Sequence, residues 1–385
     1  MNRKIGHETA FLRINETTPR NGECSFARLS NGNILFAYTE YCGDSRHDHA
    51  VARLCAMVSE DEGETWSPKR VIVEKDPEAQ NIMSVSLANL PDGSLGMMYL
   101  RKEVMADKGI TCMPCFRRSA DNGETWEDEI RCQIPIGYYV VINDGALVTR
   151  GGRLLLPASY HGKRLPFEDE CTIPMEPANE IHVLFSDDCG KTWGVLPGKL
   201  RPPFPSFNAE MAEPGIYERE DGSLWLWTRT SLGHQYDAIS HDGGNTWSTL
   251  EPNLRFPSPG SPMRVKRMGN IAAAVFNPVP YFPLKWGMEK WRNPKRTPIV
   301  FTVSRDGGES FCSRGELCTS KTVRAFEDDT FLLEDDLDNS YCYPALLETR
   351  DGCLAAYYHS DGQPFTLTAC KITKIYSHEL EEKPF

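Results

Sequence analysis

Five copies of one octapeptide, Ser-x-Asp-x-Gly-x-x-aromatic, punctuate the chain. They are SEDEGETW (Ser59 to Trp66), SADNGETW (Ser119 to Trp126), SDDCGKTW (Ser186 to Trp193), SHDGGNTW (Ser240 to Trp247) and SRDGGESF (Ser304 to Phe311), and their starts lie 60, 67, 54 and 64 residues apart. Each reads as a hairpin turn. Ser and Asp side chains hydrogen-bond nearby backbone, Gly takes the positive φ, and the aromatic packs back on a sheet. Segments ahead of the turns, such as IHVLFS and PIVFTVS, are β-rich and read as strands. A second series is interleaved with the first: SNGNILFAY, PDGSLGMMY, RGGRLLLPA, EDGSLWLWT, MGNIAAAVF and RDGCLAAYY, with turn glycines at Gly32, Gly93, Gly152, Gly222, Gly269 and Gly352.

Six turn-strand units against five octapeptides, each unit roughly 60 residues and so about four strands long, match the blades of a propeller. The expected fold is all-β: a six-bladed β-propeller of four-stranded antiparallel blades occupying residues 1–385 as one domain. The sixth unit lacks an octapeptide, so the two chain termini are expected to close the ring and remove its open edges. Two unrelated β-sandwiches would also show many short strands, but not the regular octapeptide spacing.

Composition narrows the function. A net charge of −12 argues against nucleic acid as the main partner, which needs clustered Lys and Arg. The longest apolar run, Ile271 to Phe276, is far short of the roughly 18 residues of a membrane helix. The start, MNRKIGHETAF, lacks the apolar core of a secretory signal, and the 13 cysteines follow no framework spacing. These features lead to the expectation of a cytoplasmic protein with reduced thiols and no membrane partner. Cys112 and Cys115 have no second pair to complete a zinc site.

Several segments between the octapeptides carry functional residue types. EPGIYEREDGSLWLWTR sets Glu213 sixteen residues before Arg229 across one tight turn, with Glu218 between them. RTPIVFTVSRDGG puts Arg296 eight residues before the fifth octapeptide, with Arg292 nearby. YCYPALLETRDG puts Tyr343 nine residues before Gly352, with Tyr341 two residues earlier on the same expected strand face. TPRNGECSFARLSNG contains Arg20, and the loop GDSRHDHAVA holds Asp44 and Asp48. Asn143 and Asp144 lie at the mouth of INDGALVTRGGRLLLP, and Asn81 leads NIMSVSLANLPDG.

With these segments the chain resembles the sialidase (neuraminidase) superfamily, whose six-bladed propellers carry such octapeptides, called Asp-boxes, on their periphery. The resemblance covers nearly the whole chain. The boxes identify the fold and not the reaction. The resemblance implies Glu213 as general base, Tyr343, with Tyr341 as its rival, as nucleophile, and Arg229 and Arg296 as members of an arginine triad. Asp48, or else Asp44, would be the acid/base, and Asp44, Asn143 and Asp144 would contact substrate. The Arg-Ile-Pro tripeptide typical of the superfamily is absent. Leu12-Arg13-Ile14 lies too far from the Gly32 turn, so Arg20 is the better candidate for the first triad arginine.

The residue types suit a sialic acid glycoside, an acidic sugar with a carboxylate on its anomeric carbon. Guanidinium groups offer charge-assisted donors that do not deprotonate. A neutral tyrosine activated by a glutamate avoids the repulsion a carboxylate nucleophile would meet. An aspartic acid can protonate the leaving oxygen and later activate water. No cofactor and no metal are expected, although Asp44, His47, Asp48 and His49 could in principle ligate one. A propeller acting on another acidic sugar, by hydrolysis or elimination, and a non-catalytic glycan-binding propeller both stay open.

Overall fold

The computed structural model describes residues 4–106, 109–162, 165–166, 180–202, 211–280, 296–311, 329–363 and 366–381. They form six antiparallel sheets. The first sheet runs outward through Arg20–Arg28, Ile34–Tyr41, Ala52–Ser59 and Arg70–Val73. The same up-and-down order recurs with inner strands Asn81–Asn89, Ala212–Glu218, Arg264–Met268 and Tyr341–Thr349. In the third sheet the inner position is shared by two short strands, Tyr139–Val140 and Leu147–Val148. The second and third sheets each hold a fifth, two-residue strand; the other four have four strands. The sixth sheet is completed by the N-terminal strand His7–Leu12, which pairs with Ala369–Tyr376.

Six apolar clusters, each shared by two neighbouring blades, hold the ring together. Leu35 and Leu54 of the first blade pack with Leu87 and Met97 of the second. At the far end of the series, Phe26 and Phe36 of the first blade pack with Leu354 and Ile372 of the sixth, so the ring is closed. A strand buried on both faces needs an apolar run instead of strict alternation, and Ile34–Tyr41 is buried along its whole length.

The five octapeptides join the third and fourth strands of blades one to five, at the outer side of the ring. All share one hydrogen-bond pattern. In the first, Ser59 Oγ donates to Asp61 Oδ1 at 2.9 Å, the Gly63 N–H donates to Ser59 Oγ at 2.8 Å, and the Thr65 N–H and hydroxyl donate to the Asp61 carboxylate at 2.9 and 2.5 Å. The turn aromatic then enters an interblade cluster; Trp193 packs on Phe116 of the preceding blade with ring centroids 5.4 Å apart. Gly190 shows why glycine is needed there. Its φ is +85°, and a Cβ would sit 1.9 Å from the Phe116 ring. The six turns at Gly32, Gly93, Gly152, Gly222, Gly269 and Gly352 connect first and second strands. The one helix among the described residues, Ser377–Glu381, is short, and no described helix is long and apolar enough to cross a membrane.

Candidate active site

The inner strands run side by side along the ring axis, and four of them are interrupted at the same level. Pairing shifts register between Gly22 and Ser25, Met83 and Ser86, Ala212 and Gly215, and Cys342 and Ala345. Each bulge contains one non-glycine residue with positive φ: Glu23 (49°), Ser84 (59°), Glu213 (48°) and Tyr343 (55°). Asp144 (55°) occupies the matching place in the third blade. A bulge re-aims a side chain out of the pleat, and such left-handed conformations persist only where the surroundings enforce them. The ring therefore directs a carboxylate, a hydroxyl, a second carboxylate, a third and a phenol toward its axis.

Tyr343 and Glu213, 130 residues apart in sequence, meet there. Tyr343 Oη donates to Glu213 Oε1 at 2.5 Å. Arg229 Nη1 donates to Glu213 Oε2 at 2.7 Å and lies 3.5 Å from Tyr343 Oη. Arg296 stands over the other side of the phenol, its Cζ 5.8 Å from the ring centroid, anchored by Cys342 Sγ at 3.2 Å and the Gly260 carbonyl at 3.2 Å. Desolvation, then the Glu213 charge, raise the Tyr343 pKa well above its ordinary value, outweighing Arg229 and Arg296. The tyrosine rests as a neutral phenol beside a proton acceptor.

Arg20 reaches the same cluster through Tyr358. Its Nε donates to Tyr358 Oη at 2.8 Å, and the Tyr358 ring meets Tyr343 edge-on at 5.6 Å. The remaining Arg20 donors bind Glu23 at 2.8 Å and Asp48 at 2.5 Å. Glu23 also accepts from Ser84 Oγ at 2.5 Å. Gly22 has to be glycine because a Cβ would lie 2.1 Å from the Tyr358 ring. Asp48 remains open to solvent, its side chain 65 % exposed. Desolvation works to raise its pKa, but the Arg20 charge, then Lys102, prevail and hold the carboxyl below the ordinary range. Lys102 Nζ itself donates to the Asp48 carbonyl at 2.6 Å. Four cations (Arg20, Lys102, Arg229, Arg296) thus face three carboxylates (Glu23, Asp48, Glu213), a balance that favours an anionic ligand.

Other expected residues are placed differently. Asn143 and Asp144 are buried, and their side chains are engaged by the surrounding strands. Asn143 Nδ2 clamps the Cys24 and Tyr343 carbonyls at 2.7 and 3.3 Å. Asp144, 1 % exposed, accepts from Ser25 Oγ (2.7 Å), the Leu346 N–H (3.2 Å), Lys266 Nζ (2.8 and 2.9 Å) and Arg264 Nε (3.3 Å). Both hold the bulged strands in place. Asn81, likewise buried, bonds the Ala50 carbonyl. Asp44 is exposed and has no bond to the cluster. Tyr341 does not share a face with Tyr343, because the left-handed residue 343 breaks the alternation. It packs between blades against Tyr357 and His359. Arg292 lies outside the described residues. Among those residues no group of three His, Cys, Asp or Glu side chains is arranged to hold a metal. Glu23, Ser84, Tyr358 and Lys102 were not legible as site residues. The one signal was Gly22 beside Glu23, a glycine where no turn was expected.

The family model described as a BNR repeat-like domain matches residues 80–356. A sialidase of Paraclostridium sordellii is 24 % identical over 256 residues, 59 % of this chain and 57 % of that protein, so the match spans little more than half of its length. Among solved structures, a protein of unknown function from Dyadobacter fermentans superposes with a TM-score of 0.69 at 18 % identity, covering 96 % of this chain and 98 % of its own. A leech intramolecular trans-sialidase in complex with 2,7-anhydro-Neu5Ac gives 0.68 at 14 %, covering 97 % and 70 %. At such identities the structural likeness establishes the fold.

Proposed function

The chain belongs to the BNR repeat-like domain family and is a propeller of the sialidase superfamily, and from that premise we propose that it is an exo-α-sialidase-like retaining glycoside hydrolase. Its substrate is a glycoconjugate ending in sialic acid or a related acidic sugar. The observation that carries this reading is the 2.5 Å contact between Tyr343 Oη and Glu213 Oε1, made by residues of two different blades.

In the proposed reaction the substrate carboxylate binds Arg20, Arg229 and Arg296. Glu213 takes the phenolic proton while Tyr343 Oη bonds to the anomeric carbon and the glycosidic C–O bond breaks. A free phenol, with a pKa of about 10, is a poor nucleophile near neutrality, and Tyr343 is shifted further up. Proton transfer to Glu213 is therefore part of the attack. Asp48 supplies the proton to the departing oxygen and then activates the water that cleaves the glycosyl-tyrosine link. Without substrate Asp48 occupies Arg20 and is held ionised. A substrate carboxylate arriving at Arg20 displaces it, and its pKa rises once that cation is shared.

The test is turnover of a fluorogenic sialoside by the wild-type chain and by Tyr343→Phe. Turnover that falls by about 10³-fold or more in the variant, with binding of a dehydrated sialic acid analogue retained, supports the reading. Binding of free sialic acid by wild type without any turnover would replace it with a glycan-binding function.

A further inference from the structure

The ring axis holds a second cavity, of about 320 Å³, at the end opposite Tyr343. The order of residues along the inner strands places it. In Arg20–Arg28, Glu23 faces the catalytic cluster, Ser25 binds Asp144, and Phe26 to Arg28 line the cavity. In Tyr341–Thr349 the sequence is Tyr343, Leu346, then Leu347 in the lining. The buried Asp144 cluster therefore plugs the axis between the two sites.

Cations dominate the second cavity. Arg28, Arg150, Arg264, Lys266 and Arg267 line it, against the single carboxylate of Glu218. The outer three are balanced locally. Arg28 pairs with both Glu62 oxygens at 3.0 and 2.7 Å, Arg150 with Glu218 at 3.5 Å, and Arg267 with Glu220 at 3.3 Å. The inner two are not: Arg264 and Lys266 share one counter-charge, Asp144. Arg264 is 2 % exposed, and its Nη1 has no hydrogen-bond partner among the described residues. A buried cation without its full complement of anion and acceptors is costly, and burial pushes the pKa of both Arg264 and Lys266 down. An incoming anion would supply the missing charge. The remaining wall is apolar, with Leu87, Ile216 and Leu347, and the volume falls at the lower end of small-molecule pockets.

We propose that this cavity is a second ligand site, which binds a small organic monocarboxylate. The carboxylate meets Arg264 and Lys266, and its apolar body lies along Leu87, Ile216 and Leu347. The site is independent of the chemistry at Tyr343.

The experiment uses 4-bromobenzoate with the full chain. A soaked crystal should show anomalous bromine signal inside the axial cavity, and calorimetry should show saturable binding. Arg264→Met should weaken that binding at least tenfold. Because removal of a buried cation can unfold the chain, a second variant, Ala88→Phe, which adds bulk at a lining residue and leaves the charges alone, should do the same. No binding, bromine found only beside Tyr343, or affinity unchanged in a folded Ala88→Phe protein would overturn the proposal. Sulfate bound as tightly as 4-bromobenzoate would overturn its organic part.

Discussion

Replacing Asp144 by Ala should cost more stability than any other single carboxylate change along the axis. The carboxylate, 1 % exposed, accepts from Lys266, Arg264, Ser25 and the Leu346 N–H, donors drawn from three other blades. Breaking a buried ion pair by removing one partner costs about 3–5 kcal/mol. Each neutral donor left without an acceptor adds about 1 kcal/mol, so the total is about 5–7 kcal/mol. With an unfolding entropy of about 2.1 cal/mol/K per residue, this chain has about 0.8 kcal/mol/K near its midpoint. The midpoint should then fall by about 6–9 °C. Asp144→Asn keeps the side-chain volume and one acceptor oxygen, enough for either Ser25 or the Leu346 N–H, which donate to different carboxylate oxygens. It loses the charge, so its fall should be smaller by only about 1 °C. Differential scanning calorimetry of the three proteins at one pH measures both. A fall under 1 °C for the alanine variant would show that Asp144 does not neutralise the axis. A fall in the asparagine variant that is only a small fraction of the fall in the alanine variant would show that packing and neutral hydrogen bonds, and not charge, hold the blades there.

Asp48→Asn should lower kcat/KM by at least about 10²-fold for a sialoside with an alkyl leaving group and far less for an aryl one, which departs without a proton; equal losses in a two-substrate comparison would remove Asp48 as the acid. Arg229→Gln and Arg296→Gln should each weaken calorimetric binding of a dehydrated sialic acid analogue by about 10–150-fold, the worth of one charge-assisted bond; unchanged affinity in either would take that arginine out of the clamp. Gly190→Ala should destabilise by about 2–4 kcal/mol in urea denaturation, from φ strain plus the collision with Phe116. Gly93→Ala, with φ +84° but open space at its Cβ, should cost only about 1–2 kcal/mol, and equal costs would remove interblade contact as the reason for the octapeptide glycine.

The architecture was readable because five of the six blades repeat one turn chemistry. The Ser-Asp-Gly-Thr bonding set is local, so it leaves a local mark, and five marks at regular intervals imply a closed ring. The site was readable only in part. Glu213, Arg229, Arg296 and Tyr343 stand at strand ends whose spacing resembles known propellers, and the structure brings them together. The axial bulges left almost no mark, since positive φ is taken by Glu23, Ser84, Asp144, Glu213 and Tyr343 instead of glycine. That conformation is imposed by contacts between blades, beyond the reach of neighbouring residues in sequence. The same cause explains the misplacement of Asn143 and Asp144, which read as pocket residues and serve as the axial plug. Tyr341 was misjudged for a related reason: period-2 alternation fails across a bulge.

The nucleophile can be tested without relying on rates. The wild-type chain is incubated with a 2,3-difluorosialic acid, which slows release of the glycosyl group, then digested and its peptides weighed. If Tyr343 attacks the anomeric carbon, one difluorosialyl group is found on the peptide containing Tyr343 and is absent from Tyr343→Phe. An adduct on Glu213, or wild-type turnover of a sialoside with no adduct on Tyr343, contradicts the mechanism.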